Sequence, residues 1–197
     1  MTHPKFDEKE LKVVGEIPGF LPELPGTPVY DFPVTMREAF SAAMNRNPIW
    51  QLTGVESNIF APSVNPDNIA RGMVMEADAV PPPNEYVKDM FGIEWIFVPS
   101  AGGSIERTDV PHLLDDANNW EKVIKFPDID SWDWESSAKA NNGTYLTPDK
   151  FNMVWVQNGF WFERLISFMG FENAATALID EDQEDALHAL FEATTDL

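Results

Sequence analysis

Phe151-Asn152-Met153-Val154-Trp155-Val156 is nearly apolar over its whole length and runs into Gln157-Asn158-Gly159. An unbroken apolar stretch of this kind predicts a strand buried on both faces, as in a parallel sheet covered by helices. Helical patterns follow directly. Phe160 to Met169 reads as an aromatic-rich helix closed by Gly170, and Phe171 to Ile179 as a second, with Ala174, Ala175 and Leu178 inward. A third, from about Asp182 to Thr194, carries the stripe Ala186, Leu187, Leu190 and Phe191, with Asp180 and Gln183 as its capping box. Strand, loop and helix form the repeating unit of an α/β fold, in which ligands bind beyond the carboxyl ends of the strands. Asn158 therefore stands where chemistry is expected. Glu163 and Arg164 interrupt an otherwise apolar helix. They either line a pocket as a charged pair or snorkel to the surface, and the residues alone leave both readings open.

Upstream, Thr35 and Glu38 spell a capping box, and Met36, Phe40, Ala43 and Met44 then share one helical face. Ile49-Trp50-Gln51-Leu52 is a short strand candidate after Pro48, and Asn65 or Asp67 opens a short helix through Met73. Ile93 to Val98 is β-rich between Gly92 and Pro99, and Ala101-Gly102-Gly103-Ser104 reads as a hairpin turn rather than a phosphate cradle. Asp115 to Lys125 predicts another short helix. The acidic aromatic cluster at Asp130, Trp132, Asp133, Trp134 and Glu135 reads first as a helix start with favourably placed negative charge, and second as a cation or sugar site. Residues 1–34 hold six prolines interleaved with glycines, which excludes a long helix or a central strand and predicts an extended arm.

Thirteen Lys and Arg stand against 33 Asp and Glu, a formal charge of −20 in a chain of 197 residues. That balance argues against nucleic acid and against an anionic membrane, since phosphate binding needs clustered cations. There is no cysteine and there are three histidines, so disulfides, thiolate chemistry and a sulfur-ligated zinc are excluded within these residues. No apolar run reaches the ~18 residues a membrane helix needs. The expected location is cytoplasmic.

The order Thr35-x-Arg37-Glu38-x-Phe40, Asp89-x-Phe91-Gly92-x-x-Trp95, Phe126-Pro127-Asp128, Gly159-x-x-Phe162-Glu163-Arg164 and Met169-Gly170-Phe171-Glu172-Asn173 resembles the uroporphyrinogen decarboxylase superfamily. Within it, the closer likeness is to the branch near the corrinoid-dependent methyltransferases. The resemblance runs from about Thr35 to Leu197 and implies a (β/α)8 TIM barrel. Such a barrel takes ~250 residues, so residues 35–197 are expected to form its N-terminal part behind a proline-rich arm of residues 1–34. An open sheet edge would follow, inviting a homo-oligomer.

The same resemblance implies a methyl-corrinoid (cobalamin) carried on a partner protein, a small-molecule methyl donor or acceptor, and zinc held in a later portion of the barrel. Trp50, Gln51, Asn158, Glu163 and Arg164 are the expected pocket-lining residues. The activity, methyltransferase-like or decarboxylase-like, would belong to the whole enzyme, and this stretch alone would be inactive. The arginine-rich segment that binds porphyrinogen carboxylates has no counterpart in Pro48 to Gly54, and a charge of −20 suits a polycarboxylate poorly. The alternative from another class is an acidic, non-enzymatic module that binds a basic partner protein.

Overall fold

The computed structural model describes residues 7, 11–18, 25–77, 79–156 and 161–197. These fall into two compact units, Met1–Phe60 with Asn141–Met153, and Ala61–Ala140 with Val154–Leu197.

The first unit opens with an antiparallel hairpin, β1 (Val13–Ile17) and β2 (Thr27–Tyr30), in the register Ile17 opposite Thr27. The expected arm thus contains paired strands. β1 occupies a window free of proline. Pro28 is accommodated in β2 because each strand of a two-stranded ribbon has an outer edge that needs no ladder donor. Helix α1 (Met36–Met44) starts as predicted. The Thr35 hydroxyl accepts from the Glu38 N–H at 3.2 Å, and the Glu38 carboxylate accepts from the Thr35 N–H at 2.8 Å. Its Phe40 ring stacks on Phe151 at 4.4 Å.

The predicted strand at Ile49–Leu52 does not form. The chain there wraps around the buried Glu56 carboxylate, which accepts from Trp50 Nε1 (2.8 Å), Thr53 N (3.1 Å) and Gly54 N (3.0 Å). Those bonds hold a turn where a strand would need straight backbone. Strand β3 (Ser57–Phe60) forms just afterwards instead.

The second unit contains α2 (Pro66–Ala70), then a three-stranded antiparallel sheet of β4 (Tyr86–Lys88), β5 (Glu94–Val98) and β6 (Gly103–Glu106) in that spatial order. Gly102 turns β5 into β6 with φ of 65°, the left-handed region that glycine enters without strain. Helices α3 (Trp120–Val123), α4 (Trp134–Asn141), α5 (Trp161–Met169), α6 (Phe171–Ala177) and α7 (Glu184–Asp196) complete the element order. The core of this unit joins Phe91, Leu114, Ile124, Leu165, Phe168 and Leu190. Phe91 meets Phe168 and Phe126 edge to face, at 5.0 and 5.7 Å.

The expected barrel is not present. Among the described residues the sheets have two, two and three strands, and β1–β2, β4–β5 and β5–β6 are all antiparallel. A parallel pair needs a crossover of about a dozen residues or more, and the tight turn at Gly102 allows only a hairpin. The stretch from Phe151 is corrected as well. It forms β7 (Phe151–Val154), paired among the described residues with β3 alone, and its residues alternate between half-buried and exposed. Val154 is 71 % exposed, so the run is not covered on both faces. The result is a small mixed α/β protein rather than part of a TIM barrel.

Candidate functional site

Two short elements of the second unit each aim a carboxylate at one arginine. Asn65 caps α2, its side chain accepting from Asp67 N at 3.0 Å, and Pro66 takes the first helical position. Asp67 then reaches out of the first turn, accepting from Met90 N at 3.1 Å through Oδ1. Asp89 sits in the tight turn between β4 and β5, which Gly92 closes at φ of 85°. Its Oδ1 accepts from Phe91 N (2.9 Å) and Ile93 N (3.0 Å). Its Oδ2 accepts from Trp95 Nε1 (3.0 Å) and Arg164 Nη1 (2.9 Å).

Arg164 enters from α5 and is 2 % exposed. It bridges the two carboxylates, pairing with Asp67 through Nη2 and with Asp89 through Nη1. Its guanidinium lies 4.7 Å over Phe91 and 5.7 Å from the Phe168 ring, so the cation rests on aromatic faces while its edge is satisfied by anions. Arg71, one turn after Asp67, approaches the same carboxylate at 3.9 Å and lies over Trp95 at 5.4 Å.

Two carboxylates thus face two guanidiniums, and the charges balance inside the fold. Burial pushes the Asp67 carboxyl up from its ordinary value, against the pull of Arg164. Burial likewise lowers Arg71, with Arg164 acting in the same direction and Asp67 opposing. Arg164 Nε, Arg71 Nη1, Asn68 Oδ1 and Ser104 Oγ are buried without hydrogen-bond partners among the described residues. Beside this cluster, His112 Nδ1 lies 3.5 Å from Glu106 Oε1, and burial raises the Glu106 carboxyl.

The cluster positions: it clamps α2, the β4–β5 turn and α5 together. Among the described residues no group of three or more His, Asp or Glu is placed to hold a metal ion. The implied zinc therefore finds no fitting residues here. No helix of the described residues is long and apolar enough to cross a membrane.

The five expected pocket residues have distinct surroundings. Trp50 is half-buried in the first unit, stacked on Phe32 at 4.2 Å and donating to Glu56. Gln51, next to it, is exposed. Asn158 lies outside the described residues. Glu163 is exposed on α5 while Arg164, its neighbour in sequence, points into the core. The two share an element but not an environment: Arg164 does not snorkel to the surface, and its charge is met by Asp67 and Asp89. Asp67, Arg71 and Asp89 were missed. The signal for Asp89 was available: an acid two residues before an aromatic and three before a glycine suits a side-chain-capped turn.

Comparison with family models, curated proteins and solved structures finds no match to this chain.

Proposed function

We propose that the chain belongs to a uroporphyrinogen-decarboxylase-like enzyme of the corrinoid-dependent methyltransferase branch, acting in the cytoplasm and contributing pocket walls and a docking face for a methyl-corrinoid protein. The proposal takes the motif set and the chemistry from the sequence resemblance and leaves the barrel aside. One observation carries it. Segments that are far apart in sequence and that define the resemblance converge on one side chain. Asp89, Phe91 and Trp95 of one motif gather around Arg164 of another, and Phe126 of a third packs on Phe91. Motifs that share a physical partner have a reason to occur together and in fixed order. No step is assigned to zinc, because the described residues offer it no ligand set.

The test is a titration of a methylcobalamin-loaded corrinoid protein with this chain, followed through the corrinoid absorption bands and by sedimentation. Saturable complex formation is expected, and it weakens in Glu163→Ala, an exposed position. An unperturbed corrinoid spectrum together with independent sedimentation of the two proteins would remove the reading.

A further inference from the structure

Among the described residues, the C-terminal helices of the second unit leave an apolar groove uncovered. Between the end of α6 and the first half of α7 lies a depression of about 430 Å³ with Ala177, Leu187 and Phe191 at its floor. Leu178 and Ile179 stand at its lip, 50 % and 85 % exposed. Past His188 and Phe191 the groove continues along the second half of α7 as a depression of about 320 Å³, bordered by Trp161, Glu192 and Asp196. Thirteen helical residues at 1.5 Å each make this face ~20 Å long, the length of a helix of three to four turns.

The rim has one sign of charge. Residues 171–197 contain eight Asp and Glu and neither Lys nor Arg. Asp180, Glu181 and Glu184 border the first depression and Glu192 and Asp196 the second. Asp180 is held ionised by hydrogen bonds from the Gln183 side chain and the Asp182 N–H, which lower its pKa. A second copy of this chain would bring a second set of these carboxylates against the first, and anionic surfaces are repelled in the same way. A cationic occupant meets no such penalty.

We propose that this groove docks a basic amphipathic helix of a partner protein, one whose Leu or Ile seam fills the apolar floor while flanking Lys and Arg meet the acidic rim. The inference goes beyond the methyl-transfer reading and stands on a different part of the chain.

Fluorescence anisotropy on the whole chain tests it, with two labelled synthetic helical peptides sharing one Leu/Ile seam, one flanked by Lys and one by Glu. The Lys-flanked peptide is expected to bind at least about tenfold more tightly, and its affinity to fall as salt is raised. Ile179→Ser, at a position too exposed to support the fold, is expected to weaken it about tenfold with unchanged circular dichroism. Glu181→Lys with Glu184→Lys should reverse the preference between the two peptides. Equal affinity for both peptides, or an Ile179→Ser variant that binds as tightly as the parent, overturns the proposal. So does a dimer of the chain alone that Ile179→Ser dissolves, since a second copy would then be the occupant.

Discussion

Arg164 ties three segments of the second unit together through two ion pairs. Both of its anionic partners are themselves buried, Asp67 at 1 % and Asp89 at 4 % exposure. Removing the arginine leaves two carboxylates inside the fold with, among the described residues, no cation at bonding distance except Arg71, 3.9 Å from one of them. Breaking a buried pair by deleting one partner costs about 3–5 kcal/mol, so Arg164→Met should bring this unit close to unfolding under conditions where the parent is stable. Urea denaturation monitored by far-UV circular dichroism checks this. Arg164→Lys should recover little, because one ammonium cannot present parallel donors to two separate carboxylates while lying flat on Phe91. A midpoint for Arg164→Met equal to the parent's would show that the clamp is dispensable.

At the scale of elements, the entry to α7 turns on Asp180. Its Oδ1 accepts from Asp182 N at 3.0 Å and its Oδ2 from Gln183 Nε2 at 2.9 Å. The far end of the Gln183 side chain accepts from Ala117 N at 2.8 Å, tying this turn to the short 3₁₀ turn Ala117–Asn119. The predicted capping box is thus half right: the pair exists, but Asp180 holds the turn before the helix rather than the helix's own first donors. The Asp180 carboxyl lies below its ordinary range in the folded chain, chiefly through the Gln183 bond. A depressed folded value means that its contribution is complete above the ordinary carboxylate pKa and is lost as pH falls through the folded value. Asp180→Asn should therefore be less stable than the parent at neutral pH, and the two should converge in acid, as thermal melts at both pH values would show. A constant gap across that range would separate Asp180 from the pH dependence. Local chemistry of this kind was readable in advance. Thr35 with Glu38, Asn65 before α2, the β5–β6 turn and the apolar stripe of α7 are all written within a few residues of where they act. The strand at Phe151 was misjudged because an apolar run reveals the taste of a segment for burial but not how many neighbours it will find. The partners of Arg164 were not legible for a related reason: they lie 75 and 97 residues away, and no spacing in the chain connects them.

For the molecule as a whole, the excess of 20 negative charges opposes compaction. Raising salt from about 0.01 to about 0.15 M shortens the screening length from ~30 to ~8 Å, so the melting temperature should rise over that interval. A fall would mean that attractive pairs such as Arg107 with Glu94 and Asp109 outweigh the repulsion. Each unit also contains a tryptophan whose indole N–H is bonded to a buried carboxylate, Trp50 to Glu56 in one and Trp95 to Asp89 in the other. An indole beside a fixed negative charge emits differently from one released to solvent. With the other six tryptophans replaced by phenylalanine, single-tryptophan variants at positions 50 and 95 would each report on one unit, so that the order in which the two lose their structure can be read by comparing two melts without any attached label.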